Sequence, residues 1–155
     1  MRAKQVRFDL PHPALPDADW ADCFEITVPR AITAGDAARR AFSRMPAWAG
    51  ALMAVRDALM RPFGLKGADE ATRHSGKTVG FFPVLEESES ELVAGFDDRH
   101  LDFRLFVHAV PVGAAGTRVR VATLVRRNNR LGRIYLAVIS PFHKLIVAAV
   151  TSRIS

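Results

Sequence analysis

Four strand-like runs in close succession constrain this fold more than any other feature of the chain. They cover residues 78–85, 91–97, 101–110 and 117–127, and only short turn-rich breaks separate them. Connections that short permit antiparallel hairpins and leave no room for the crossover a parallel pair requires. Leu101, Phe103, Leu105 and Val107 share one face of the third run, and Asp102, Arg104 and His108 share the other. Matching apolar to apolar pairs Phe96 with Leu101, Ala94 with Phe103 and Leu92 with Leu105. In the last hairpin it pairs Asp102 with Arg126 and His108 with Arg120. Val119, Val121, Thr123 and Val125 then join the apolar face. A slip of one residue would mix the two faces.

The flanking segments read as follows. Residues 1–19 are polar and Pro-rich and are expected to form an irregular lead-in. From Phe24 the period is two, with Phe24, Ile26 and Val28 on one side, and Pro29 ends the strand. A helix is expected over 34–45 with Thr33 as its N-cap. A second is expected over 46–61, begun by Pro46 and carrying Trp48, Leu52, Val55 and Leu59 at helical spacing. Residues 64–77 read as loop. A long helix starts near Leu131 behind Asn128 or Asn129. Its expected apolar stripe runs through Leu131, Ile134, Tyr135, Val138, Phe142, Leu145, Ile146, Ala149 and Val150, with a kink at Pro141. The order implies a single α+β domain over 20–155: an antiparallel sheet, two short helices after its first strand, and a long C-terminal helix covering the apolar face. A cavity can form between sheet and helix.

Composition narrows the class. With 155 residues, 49% hydrophobic and 25% charged, the chain has enough apolar content for a packed core, which excludes disorder and coiled coil. No unbroken apolar run approaches the roughly 20 residues a bilayer needs, so no membrane insertion is expected. The first 19 residues hold no signal-peptide core. One cysteine allows no internal disulfide, and the expected compartment is the cytoplasm. Charge is uneven. Residues 1–98 hold 12 Lys/Arg and 15 Asp/Glu, net −3, whereas 99–155 hold 10 Lys/Arg and one acid, net +9. Such asymmetry can mark an anion-binding face or a solvated basic one.

Few motifs carry chemistry. Ser75-Gly76-Lys77-Thr78 resembles the end of a phosphate-binding loop, but Ala71 stands where a glycine is needed and a strand follows instead of a helix. The five histidines show no zinc-ligand spacing, so no metal or other cofactor is implied. His100 is expected to bond a carboxylate of its own turn, and His143 to sit at the core edge. Cys23 has no identifiable base and reads as a buried thiol. Arg118, Arg120, Arg126, Arg127, Arg130 and Arg133 form a basic cluster without the exposed aromatics that single-strand nucleic-acid binders add, which argues against a nucleic-acid partner.

Several segments together resemble a known family. They are Pro46-Ala47-Trp48, Arg56-Asp57, Gly80-Phe81-Phe82-Pro83, the Asp-Asp-Arg-His-Leu-Asp-Phe-Arg run at 97–104, Asn129-Arg130-Leu131-Gly132 with Tyr135, and Pro141-Phe142-His143. The set is similar to that of the bacterial proteins grouped as domain of unknown function 2867. The likeness runs from about Trp20 to the C-terminus, and the 97–104 and 141–143 segments are its most specific parts. That family in turn looks like the helix-grip superfamily of START lipid-transfer domains, polyketide cyclases and the birch-pollen allergen. The resemblance implies a helix-grip fold with a ligand cavity and supplies no catalytic residues. The expected function is binding of a small apolar or amphipathic ligand, with Trp48, Arg56, Phe103, Thr123, Tyr135, Phe142 and His143 as wall candidates. Two alternatives are a cyclase- or dehydratase-like enzyme in the same cavity, which needs a titratable pair inside it, and a module that binds an anionic partner through the basic C-terminal half.

Overall fold

The computed structural model describes residues 2–43, 78–79, 82–97 and 100–155. The expected second helix over 46–61, with Trp48 and Arg56, and the loop over 64–77 lie outside these residues. The strands are β1 (Lys4–Gln5), β2 (Trp20–Val28), β3 (Thr78–Val79), β4 (Phe82–Glu87), β5 (Glu91–Asp97), β6 (Leu101–Pro111) and β7 (Thr117–Arg127). Among the described residues the helices are α1 (Ala34–Phe42), the first of the two expected after the first strand, and the long α2 (Arg130–Ser152). All seven strands form one antiparallel sheet in the order β1-β2-β7-β6-β5-β4-β3.

The meander β4 to β7 follows the alternation of the sequence, and β2 returns to pair along the whole of β7. The last hairpin has the expected register, with Asp102 opposite Arg126 and His108 opposite Arg120. The hairpin before it differs by two residues. Phe96 lies opposite Phe103, Ala94 opposite Leu105 and Leu92 opposite Val107. A shift of two preserves both faces, so the apolar pattern is blind to it. His100 lies in the turn of this hairpin. It is buried, its carbonyl accepts from the Asn128 N–H at 3.0 Å, and its Nδ1 lies 2.8 Å from the Asn129 amide nitrogen. Because Asn129 Oδ1 accepts from the Gly132 N–H as the N-cap of α2, the amide nitrogen is the donor and His100 Nδ1 the acceptor. The turn is thereby fastened to the start of the helix.

The run at 78–85 is two strands. Val79 pairs with Phe82, and β4 carries a bulge around Leu85. Period two cannot separate a continuous strand from two strands folded back on each other. α1 starts where expected, with the Thr33 hydroxyl accepting from the Asp36 N–H, but ends at Phe42.

Both sheet faces are covered. The inner face carries Phe24, Ile26, Val28, Leu92, Leu105, Val107, Val119 and Val121, against Ala34, Ala37, Ala38 and Ala41 of α1 and Val147 and Val150 of α2. The outer face buries Cys23, Val93, Phe106, Ala122 and Leu124 under Leu15, with Val6, Phe8 and Leu10 packed alongside. The segment read as a lead-in is thus the cover of this second core and contributes β1. Cys23 is fully buried, and burial pushes its thiol up to about 12. The thiolate is the reactive species. Native protein at neutral pH is expected to resist Ellman's reagent for hours and to react within minutes in denaturing urea. Fast reaction of the folded protein would show that the N-terminal cover opens.

The long helix faces the sheet differently from expectation. Leu136, Val147, Val150 and Thr151 are buried, whereas Ile134, Val138, Phe142 and Leu145 are exposed. The helix is apolar on more than one side, so its periodicity does not specify which side turns inward. By length and composition α2 is long and apolar enough to cross a membrane. Unbroken apolar runs do not reveal this length, because His143 and Lys144 interrupt the stretch. In the structure it packs on β2, β7 and α1.

Candidate functional site

Between the inner face and α2 lies a cavity of about 140 Å³. Trp20, Phe96, Leu101, Phe103, Leu105, Thr123 and Val125 line it from the sheet, with Phe82 of β4. Phe42 closes it from α1, and Tyr135, Leu136, Ile139, His143, Ile146 and Val147 from α2. Phe82, Phe96 and Phe103 form one aromatic wall, with ring centres 5.0–6.4 Å apart, and Phe42 meets Phe82 edge-on at 6.1 Å. Such offset and edge contacts hold aromatic surfaces in fixed relation.

One ionisable pair stands in this apolar setting. Asp22 lies on β2 directly opposite Thr123 of β7, so both side chains rise from the inner face. The Asp22 side chain is 2% exposed and that of His143 20%. His143 Nε2 lies 3.4 Å from Asp22 Oδ1 and 3.3 Å from Oδ2. Oδ1 is the hydrogen-bonding oxygen, and among the described residues Oδ2 has no donor. The imidazole is held from its other side by the Trp20 ring, edge-on at 5.7 Å. The Thr123 hydroxyl is buried, lines the cavity and, among the described residues, has no hydrogen-bond partner. A buried, unsatisfied hydroxyl costs about 1–3 kcal/mol unless something bonds it. The arrangement can bind an apolar body, offer it a hydroxyl and an imidazole, and move a proton.

Of the wall residues expected from the sequence, Phe103, Thr123, Tyr135 and His143 line this cavity. Phe142 does not. It is 46% exposed, because its neighbour His143 takes the inward position and adjacent helical residues diverge by about 100°. Trp48 and Arg56 lie outside the described residues. Trp20, Asp22, Phe42 and Phe96 were missed. Extending the alternation back from Phe24 reaches Asp22 and Trp20 on the inward face, so a lone carboxylate in an apolar series was the available signal.

The charge asymmetry of the sequence is folded back on itself. Arg120 pairs with Glu25 at 2.7 Å, Arg127 with Asp19 at 3.2 Å and Arg126 with Asp17 at 3.6 Å, so acids of the first half meet arginines of β7. Arg104 pairs with Asp97 at 2.7 Å. Exposed pairs of this kind contribute about 0–1 kcal/mol each.

Comparison with known proteins is sparse. The family described as "Protein of unknown function (DUF2867)" matches the chain over residues 14–150. No curated protein and no solved structure matches it.

Proposed function

The chain belongs to the DUF2867 family, and we propose that it is a helix-grip domain that binds a small, largely apolar ring compound between its sheet and α2. The observation that carries this reading is the cavity itself, about 140 Å³ between the inner sheet face and α2. An apolar cavity of about 150 Å³ holds a molecule the size of benzene. The size therefore favours a single ring over a long acyl chain or a fused polycycle. Thr123 and His143 give the ligand one polar end, which suits an amphipathic molecule with a carbonyl or hydroxyl.

Support for an anionic partner is weaker, since Arg120, Arg126 and Arg127, three of the four arginines of β7, already have carboxylates beside them. Native mass spectrometry of protein purified without detergent tests the main reading. The expected result is a mass excess that disappears on denaturation. A bare native mass, together with no saturation transfer to added benzene, would sink it.

A further inference from the structure

We propose that His143, oriented by Asp22, is a general base that removes a proton from the carbon beside the carbonyl of a ring ketone in this cavity, while the Thr123 hydroxyl donates to the carbonyl oxygen. The inference rests on the cavity reading and adds a reaction to it. A carboxylate buried behind the wall of an apolar cavity needs a reason, since an ionised carboxylate taken out of water is costly unless paired. Asp22 is such a group, and its hydrogen-bonding partner is an imidazole on the cavity wall.

The roles follow from hydrogen-bond chemistry. An ionised Asp22 only accepts, so Nε2 of His143 carries the proton it donates. Nδ1 then holds the lone pair, and among the described residues it has no hydrogen-bond partner. The imidazole is therefore a base with its back against a carboxylate, which stabilises the imidazolium once a proton is taken. The contact of 3.4 Å is long, as such pairs commonly are before a substrate tightens them. Thr123, across the ladder from Asp22, supplies an unspent donor. In the step, the C–H bond breaks and its proton goes to Nδ1. The bonding pair becomes the C=C bond of an enolate, and the carbonyl π pair moves to the oxygen facing Thr123. Return of the proton to the same carbon gives exchange, and return to a conjugated carbon gives an isomer. No oxidant or further reactant enters. His143 is the catalytic residue and Asp22 a positioning residue.

Cyclohexanone fits the cavity size and serves as probe. Deuterium incorporation beside its carbonyl is followed by proton NMR in D2O, and binding by saturation transfer in the same tube. Wild-type protein is expected to accelerate exchange over buffer containing equimolar imidazole. His143→Gln retains an amide donor toward Asp22 and is expected to lose about a hundredfold or more of that acceleration, the usual scale for a general base. Asp22→Asn is expected to lower the rate at saturating ketone by tenfold or more, with its dissociation constant unchanged within threefold. A merely structural aspartate would move both or neither. Circular dichroism verifies that each variant folds; if one does not, the Thr123→Val variant is read in its place, with a rate loss of about tenfold expected. Bound cyclohexanone that exchanges no faster than in imidazole overturns the base and leaves the binding site standing. Absence of saturation transfer overturns both.

Discussion

Gly95→Ala is expected to destabilise the protein by roughly 3–5 kcal/mol, seen as a fall in melting temperature of about 10 °C. Gly95 sits in the interior of β5 with φ +146°, a conformation that residues with a Cβ rarely adopt. It faces Arg104 of β6, and a Cβ placed on it would collide with the carbonyl group of Phe103 and the Cα of Arg104. These are backbone atoms of a central strand, so relief requires opening the β5–β6 ladder that carries Phe96 and Phe103 to the cavity wall. Gly113 is the control. It too has a positive φ, +65°, but nothing lies near its missing side chain. Gly113→Ala should therefore cost only the left-handed backbone penalty of about 1–2 kcal/mol. Equal losses at the two positions would mean that β5 and β6 do not approach as closely as the structure has them.

Ile139→Trp is expected to abolish binding without unfolding the chain. Ile139 lines the cavity from α2 and is partly exposed, so a larger side chain has a way to relax outward. The indole would occupy the space a single ring needs. Affinity for cyclohexanone or benzene should fall at least tenfold, equivalent to about 1.4 kcal/mol. Any copurifying mass should vanish from the native spectrum. The melting temperature should change by only a few degrees, because overpacking at a yielding site costs about 1–3 kcal/mol. Unchanged binding would place the ligand somewhere other than between sheet and helix.

Much of the architecture is legible from single residues. Thr33 and Asn129 mark two helix starts, because each places an oxygen where an orphan N–H needs it. Alternation along 101–110 and 117–127 marks which residues face in, and the structure buries Val119, Val121, Thr123 and Val125 accordingly. The site was less legible. Thr123, Tyr135 and His143 are recognisable as inward residues of their own elements. Asp22 was not singled out, since its strand was recognised only from Phe24 onward. The outer core also escaped notice. Phe8, Leu10 and Leu15 are spaced irregularly among prolines, and their burial depends on Cys23, Phe106 and Leu124 lying beneath them.

By itself, then, the sequence determined the antiparallel meander, the faces of its strands, the helix caps and a long apolar C-terminal helix. These follow from local periodicity and from hydrogen-bonding needs met within a few residues. Tertiary structure alone decided three things. It set the β5–β6 register, because a shift of two leaves every side chain on its face, and the docking of His100 on Asn129 chooses between them. It turned one side of α2 inward, because an apolar helix presents several candidate faces until a sheet selects one. It brought Asp22 to His143, 121 residues away, because only the pairing of β2 along β7 lays that carboxylate beneath the helix.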